Sequence, residues 1–392
     1  MTEKLKGRNF PTLRFPGFYG EWELKKMGEV ANIYDGTHQT PKYTKEGVKF
    51  VSVENINDIE NTNKFITPEA FQKEYKIKPQ KGDILMTRIT AGIIGATAII
   101  KNNEPLGYYV SLALIRTKVD VDIIFLSQRV ETNQFKNQLH KRIIHVAFPK
   151  KINLGDIQDC ATYFPSLDEQ KKISSLISLI NDRILLSMKI IEQLETLMKG
   201  NLEKIFCQKL RFKDNEGNYF SNWKSMKLHE ICEIKKGEQL NKDDLTKTGN
   251  YPCLNGGMNY SGYTDNFNSD ENTITISEGG NSCGFVSFMK SKFWLGGHCY
   301  KVILKKDIST IFFFHLLKFH EQEIMNLRVG SGLPNIQQKD LKDLKLLVSN
   351  DSEEQSKIAH FLSSNEEKIE TEKKILAQYE LQKKYLLATL FV

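Results

Sequence analysis

The chain has 392 residues, 40% of them hydrophobic and 26% charged, which is enough to build two cores or one large one. Its net charge of +7 is compatible with nucleic-acid binding but does not require it. No stretch approaches the roughly 20 apolar residues of a membrane-spanning helix, and the first ten residues contain no apolar signal segment, so we expect a cytoplasmic protein.

Residues 1–165 predict a mixed α/β domain. Loops rich in glycine, proline and polar residues, such as 34–41, separate its predicted elements. Runs of β-branched and aliphatic residues predict strands, and a longer apolar and polar stretch predicts one helix. The strands are expected at 48–53, 83–87, 95–100 and 111–116, and the helix at 122–140. This segment holds 24 lysines and arginines against 18 acidic residues, which favours it as a phosphate-binding surface.

Two long helices are predicted, at 166–208 and 349–392. From Ile173 to Ile205 apolar residues recur at steps of four and three, which is the spacing of a coiled-coil seam. Helices near 40 residues exceed the 8–20 residues usual in globular domains, so we expect an antiparallel coiled coil that keeps two domains apart. Ordinary core helices of one larger domain are the alternative.

Both long helices carry start signals. Ser166 is the expected N-cap of the first, with Glu169 completing a capping box, and Gly200 is expected to lie within that helix without ending it. Ser352 and Gln355 are the corresponding residues expected to cap the second helix.

Residues 209–348 predict a second domain with longer loops. The segments 255–263 and 277–282 are rich in glycine, asparagine and tyrosine, and such loops can bring amide groups close to base edges. Tight turns between strands explain each single loop equally well. The 17 basic residues of 212–348 nearly balance 16 acidic ones, which weakens a purely electrostatic argument for DNA there.

The chain contains an internal repeat. Segments beginning at Trp22 and Trp223 match at an offset of 201, and segments beginning at Gln170 and Gln355 match at an offset of 185. The ends of the two copies agree, whereas their centres differ in length and sequence. We therefore predict an α+β fold: two mixed α/β domains separated by two long antiparallel coiled-coil helices, with an internal pseudo-twofold repeat. The tryptophans are interpreted as structural anchors of the shared frame.

Catalytic signatures are missing from the sequence. It contains no G-x-G-x-x-G, P-loop, G-x-S-x-G or H-E-x-x-H motif and no adjacent prolines of an amino-methyltransferase loop. The six cysteines are scattered without C-x-x-C spacing. Cys283, His298 and Cys299 come nearest to a metal cluster, but buried reduced thiols are the better interpretation. We expect neither a catalytic site nor a metal.

The chain resembles the specificity subunit of type I restriction–modification enzymes over essentially its whole length. The resemblance rests on the order of domains and helices and on four short motifs. They are D-G-T-H-Q-T-P-K-Y at 35–43, G-V-K-F-V-S-V-E-N-I at 47–56, G-D-I-L-M-T-R at 82–88 and P-S-L-D-E-Q-K-K-I at 165–173.

The resemblance implies that each variable domain is a target-recognition domain for one half of a split double-stranded DNA site. The helices would separate the halves and dock two methyltransferase subunits, and restriction subunits would join the assembly. S-adenosylmethionine, ATP and Mg²⁺ would belong to those partners, leaving this chain non-catalytic and without a cofactor. A methyltransferase or nuclease in its own right, or a coiled-coil scaffold without a DNA role, are the alternatives.

Candidate DNA-binding residues follow from this interpretation. Gln39 can form a bidentate pair with adenine and Arg88 with guanine or a phosphate, although a strand-end salt bridge for Arg88 and a turn-capping role for His38 are alternatives. In the first domain the candidates are Thr37, His38, Gln39, Lys42, Tyr43 and Arg88. In the second domain they are Asn255, Asn259, Tyr260, Asn281 and His298.

Overall fold

A computed structural model describes residues 9–118, 120–305, 307–330, 332 and 334–392. It divides into two compact units. Unit 1 contains the described residues up to Ser187 together with Ile375–Val392, and unit 2 contains those of Met188–Lys374. No helix in these described ranges combines the length and the apolar character that a bilayer crossing requires.

Among the residues that the structure describes, unit 1 contains eleven short strands. They are β1 Glu23–Lys26, β2 Ala31–Asp35, β3 Val48–Val51, β4 Phe65–Ile66, β5 Ile84–Thr87, β6 Ile89–Thr90, β7 Thr97–Ile99, β8 Leu106–Tyr108, β9 Leu112–Thr117, β10 Lys150–Lys151 and β11 Ala161–Phe164. The central sheet has four antiparallel strands in the order β2-β9-β5-β7, and a second sheet has the order β4-β3-β8, in which β3 and β8 are parallel. The pairs β1-β11 and β6-β10 complete the unit. The four predicted strands of this domain are present as β3, β5, β7 and β9.

The helices of unit 1 correct one prediction. They are α1 Met27–Val30, α2 Pro68–Glu74, α3 Ile123–Glu131, α4 Asn133–Arg142, α5 Leu154–Gln158 and the first part of α6 Leu167–Phe206. The single helix predicted at 122–140 is therefore wrong, because the chain is extended at Thr132 between α3 and α4. The Thr132 hydroxyl accepts from the Phe135 amide and so starts a new helix.

In its described residues, unit 2 contains nine strands, the four short helices α7 to α10 and parts of two long helices. The strands are β12 Lys224–Lys227, β13 Cys232–Lys236, β14 Tyr251–Leu254, β15 Gly262–Thr264, β16 Thr273–Ser277, β17 Val286–Met289, β18 Trp294–Leu295, β19 Cys299–Leu304 and β20 Lys345–Val348. The helices are α7 Leu228–Ile231, α8 Thr310–Phe319, α9 Glu321–Asn326, α10 Gln338–Lys342, α11 Ser352–Thr389 and the end of α6.

The sheets of unit 2 repeat those of unit 1. Its four-stranded sheet has the order β13-β19-β16-β17, and its three-stranded sheet has the order β15-β14-β18 with the β14-β18 pair parallel. The pair β12-β20 corresponds to β1-β11. Even the positive-φ turn after the third strand of the large sheet recurs, at Gly95 (φ 92°) and Gly284 (φ 91°). The predicted α+β class and the internal repeat are confirmed.

Both long helices bury the predicted seam. In unit 1, Ile173, Ile177 and Ile180 of α6 pack in one core with Leu386 and Leu390 from the end of α11 and just beyond it. The start of one helix thus lies against the end of the other.

In unit 2 the two helices also run antiparallel. Arg211, just after α6, pairs with Glu354 at the start of α11 (Nη2 to Oε1, 3.2 Å). Glu195, earlier in α6, pairs with Lys373 further along α11 (2.6 Å between Nζ and Oε1).

The helix starts agree only partly with the prediction. The Ser166 hydroxyl accepts from the Glu169 amide (3.4 Å), as expected, but the Glu169 carboxylate binds Arg14 instead of closing a capping box. At the second helix the cap is Asp351, whose carboxylate accepts from two backbone amides of the first turn. Gln355, expected in that cap, instead donates to the Ser349 carbonyl (2.9 Å). Gly200 lies inside α6, as predicted.

Candidate nucleic-acid interface

An ion pair at the end of strand β2 organises the candidate site of unit 1. The Asp35 carboxylate accepts from Arg88 Nη2 (2.8 Å) and lies 2.7 Å from His38 Nε2. Arg88 is only 7% exposed and also donates from Nη1 to the Ile152 carbonyl (3.2 Å). Its guanidinium is therefore directed into the protein, which favours the strand-end salt bridge over a direct base contact.

The loop that follows Asp35 is held against the protein by its first residues. A side chain at Gly36 would place its Cβ 2.6 Å from the Tyr108 and Tyr109 backbone, so only glycine permits this approach. Thr37 is buried, with its amide donating to the Tyr108 carbonyl (3.1 Å) and its hydroxyl to Glu74 (2.9 Å). Thr37 thus positions the loop instead of facing solvent.

The remaining candidates of this loop are exposed. His38, Gln39 and Lys42 all face solvent, and Tyr43 is half exposed with its ring edge-on to Phe50 (5.7 Å between centroids). These four side chains lie on one loop, beside the ion pair of Arg88 with the half-buried Asp35. Donors, an acceptor and an aromatic ring on one loop are suited to contacts with phosphates and base edges.

In unit 2 three loops meet around Asn255 and His298. The Asn255 Oδ1 accepts from the His298 amide (3.1 Å), and the Glu278 amide donates to the His298 carbonyl (2.9 Å). The Ser277 hydroxyl donates to the Gly256 carbonyl (2.7 Å). The loops after β14 and β16 and the turn before β19 are thereby brought together, although they are separated in sequence.

The predicted residues of unit 2 lie on or under this surface. Asn255 is half-buried and fastens the loops, whereas Asn259, Asn281 and the His298 side chain are exposed. Tyr260 is half exposed and contacts Tyr263 edge to face (6.2 Å). The exposed residues remain available to a ligand.

The two units use opposite charges at the same place in the fold. Where unit 1 pairs Asp35 at the end of β2 with Arg88, unit 2 pairs Lys236 at the end of β13 with Glu278 (Nζ to Oε1, 2.6 Å). The Tyr300 hydroxyl donates to Glu278 (2.9 Å) and lies 3.1 Å from the Ile336 carbonyl.

Arg88 thus makes both contacts, the ion pair and the hydrogen bond to a carbonyl, that unit 2 divides between Glu278 and Tyr300. In unit 2, Glu278 supplies the charge partner, and the Tyr300 hydroxyl reaches the carbonyl that corresponds to Ile152. The sequence analysis did not detect this reversal of the acidic and basic partners, although the repeat offset of 201 aligns Asp35 with Lys236.

A basic hairpin of unit 1 also escaped the sequence analysis. Residues 141–151, K-R-I-I-H-V-A-F-P-K-K, contain four lysines and arginines and no acidic residue. The chain turns back between the bridge partners Ile144 and Lys151, and β10 pairs with β6 directly after Arg88. The signal available in the sequence was the local excess of cations flanking a phenylalanine.

The cysteines give no indication of a metal centre. Cys283 Sγ lies 3.0 Å from the Glu278 carbonyl, and Cys299 Sγ accepts from the Gly256 amide. Burial raises the pKa of the Cys299 thiol to about 12, which disfavours the thiolate that a metal requires. Within the part of the chain that the structure describes, no three histidine, cysteine or acidic side chains are grouped as metal ligands.

A family model described as the type I restriction modification DNA specificity domain matches residues 19–196 and 220–381. The chain belongs to this family. The two matched segments correspond to the two copies of the repeat, so the family predicted from the sequence motifs is confirmed.

Two relatives of this chain are named as type I specificity subunits. A protein of Mycoplasma pneumoniae named as a type I specificity subunit is 38% identical over 155 residues, which cover 39% of this chain and 41% of that protein. The chain therefore spans about two fifths of this relative's length. A protein of Methanocaldococcus jannaschii named as the type I restriction enzyme MjaX specificity subunit is 24% identical over 97% of this chain and 95% of its own length.

Solved structures share the fold. The crystal structure of the type I restriction–modification S subunit from M. genitalium matches with a TM-score of 0.71 at 17% identity, covering 98% of this chain and 99% of that one. A structure described as concerning assembly and conformational transition of a type I system matches with a TM-score of 0.53 at 15% identity, covering 94% and 97%.

Proposed function

We propose that this chain is the non-catalytic DNA-recognition subunit of a type I restriction–modification complex and binds a bipartite double-stranded site. The observation that carries the proposal is the repetition of one sheet topology with different side chains at equivalent strand ends. A shared frame whose loops are held and lined by different residues is what two different half-sites require. We assign one half-site to 1–165 and the other to 209–348, with 166–208 and 349–392 as spacer helices.

Direct contact with DNA is assigned to exposed residues of each unit. In unit 1 these are His38, Gln39, Lys42 and Tyr43, while Thr37 and Arg88 position their loop. In unit 2 they are Asn259, Tyr260, Asn281 and the His298 side chain, while Asn255 holds the loops together.

Partner docking is assigned to the long helices. In unit 1, α6 exposes Leu179, Leu185 and Leu186 to solvent, and α11 exposes Leu381 and Tyr385. Large apolar side chains exposed on a helix favour contact with another protein. We propose two methyltransferase subunits as the partners on these helices and restriction subunits in the full assembly. S-adenosylmethionine, ATP and Mg²⁺ are assigned to those partners, and the complex to the cytoplasm.

Methylome sequencing of cells that carry this chain with its methyltransferase partner tests the proposal. The expected result is a methylated motif in two short parts separated by a fixed gap. Replacing 209–348 by the corresponding segment of another family member should change one part and leave the other intact. A continuous motif, or a change in both parts, would contradict the assignment.

A second assay addresses the enzyme alternative. The purified chain, incubated alone with DNA, S-adenosylmethionine, ATP and Mg²⁺, is expected to neither methylate nor cleave it. Turnover in the absence of partners would favour a methyltransferase or nuclease instead.

A further inference from the structure

The hairpin of residues 143–151 in unit 1 exposes two apolar side chains at its tip. Val146 is 97% and Phe148 91% exposed, more than any other large hydrophobic side chain among the described residues. Leaving a phenylalanine in water is unfavourable relative to burial, so such a tip indicates a surface that becomes covered in a complex.

Positive charge surrounds this tip. Lys150 and Lys151 form the returning strand β10, and Lys141 lies in the last turn of α4 where the hairpin begins. All three are exposed, and within the described ranges none forms a salt bridge with a carboxylate. Three free ammonium groups around an aromatic residue match a polyanion that also offers apolar surface, and duplex DNA has both properties.

The hairpin is built into the same site as the 35–43 loop. Its base is fastened by the Ile152 amide, which donates to the Arg88 carbonyl (3.0 Å). Arg88 in turn pairs with Asp35 at the root of that loop. The His145 Nε2 lies 3.2 Å from the His140 carbonyl, and the two imidazole rings lie 4.8 Å apart, which ties the tip to α4.

Unit 2 has a shorter sequence segment in the equivalent place. Val329 and Asn335 are its bridge partners, and the Ile336 amide donates to the Glu278 carbonyl (2.8 Å) as Ile152 does to Arg88. The segment 329–335, V-G-S-G-L-P-N, contains no lysine, arginine or aromatic residue. The basic aromatic tip is thus a property of unit 1 alone and not part of the repeated frame.

We propose that the 143–151 hairpin enters a groove of the DNA half-site bound by unit 1, an inference that rests on the proposed function. Lys150 and Lys151 bind phosphates on the flanking backbone. Phe148 contacts the bases through its apolar ring, either at a thymine methyl group or as a wedge between neighbouring base pairs. Phe148 is then a specificity-determining residue for one half-site.

The test uses the full chain assembled with its methyltransferase partner and duplex DNA carrying the split motif. For Lys150→Ala with Lys151→Ala, the slope of log affinity against log salt should fall by about 2, since each phosphate contact contributes about 0.9. Phe148→Ala should weaken binding by roughly ten-fold or more and relax base choice at one or two positions of one half-site. The other half-site should stay fully selective.

A matched control comes from the opposite end of strand β5. Lys81→Ala with Lys101→Ala removes two exposed lysines of the same unit, which precede β5 and follow β7, away from Arg88. This control variant should keep the DNA affinity of the parent complex and the same slope of log affinity against log salt. Co-purification with the methyltransferase in unchanged yield confirms that each variant is folded.

Three outcomes would count against the inference. If the hairpin variants bind as the parent does, or if the control loses as much, the hairpin does not contact DNA. If they retain DNA affinity but lose the methyltransferase, the tip is a protein contact. If the parent complex itself shows no preference for the split motif, the proposed function fails, and the parent measurement alone reveals this.

Discussion

Replacing Arg88 by methionine distinguishes a positioning role from direct DNA contact. The change keeps much of the side-chain length but removes the hydrogen bonds to Asp35 and to the Ile152 carbonyl. Hydrogen bonds to a charged group contribute about 1.5–3 kcal/mol each, and losing them inside a protein is costly. Because the Asp35 side chain is 30% exposed, water recovers part of this loss, and we expect a net cost near 2 kcal/mol.

Lys236→Met in unit 2 is the matched control. It breaks the equivalent ion pair, but its side chain is 53% exposed, and exposed pairs contribute about 0–1 kcal/mol. Amide hydrogen exchange of the assembled full chain measures the effect of both substitutions. For Arg88→Met, amides of β2 and β5 should exchange roughly 30-fold faster, because 1.4 kcal/mol corresponds to a factor of ten. For Lys236→Met, the amides of β13 and β16 should change by less than about five-fold.

The double variant Asp35→Lys with Arg88→Glu extends the comparison. It restores opposite charges in the order found in unit 2, but glutamate cannot donate to the Ile152 carbonyl. The double variant should recover about half of the protection from hydrogen exchange that Arg88→Met loses. Unchanged exchange in Arg88→Met, together with relaxed choice at a single base position, would refute the positioning role and return Arg88 to the DNA surface.

Three further predictions concern single buried positions. Trp223→Phe should destabilise unit 2 by about 1.5–3 kcal/mol more than Trp22→Phe destabilises unit 1, because the Trp223 indole donates to the buried Glu354 carboxylate (2.8 Å), whereas the Trp22 indole N–H has no hydrogen-bond partner among the described residues. Equal shifts in denaturant midpoint would contradict this. Burial lowers the pKa of His315 to about 4, so unfolded chains take up its proton below pH 6.5 and stability should fall by about 2 kcal/mol between pH 7 and pH 5. His315→Leu should abolish that part of the acid sensitivity, and a variant with the parent's pH profile in thermal unfolding would disprove the assignment. Gly36→Ala should displace the 35–43 loop and reduce affinity for one half-site at least ten-fold in a DNA-binding titration, because its Cβ would meet backbone at 2.6 Å; parent-like affinity would show that the loop is not needed.

The long helices were predictable because their signal is local and repeated. Nearly five heptads of seam residues outweigh one glycine, and α6 continues through Gly200. The break at Thr132 was missed because apolar periodicity on both sides concealed a single capping residue. Threonine followed by asparagine is itself a helix-start signal, so the information was present but weak against its surroundings.

The candidate site was less predictable because it depends on contacts between distant residues. Asp35, Arg88 and Ile152 span well over 100 residues, and no spacing rule relates them. Motif chemistry selected the 35–43 loop and Arg88 but could not separate the buried Thr37 and Arg88 from the exposed Gln39. Strand register decides that difference, and register is set by the whole sheet.

The division of the chain into units has a consequence for synthesis on the ribosome. All of unit 2 is encoded between residues 188 and 374, whereas the core of unit 1 needs Leu386, Leu390 and Phe391, with the Phe391 ring 5.1 Å from Phe125. The domain translated first is therefore completed last, against the usual order in which N-terminal domains finish early. A stop codon between positions 375 and 386 would leave the later domain intact and expose the interior of the earlier one.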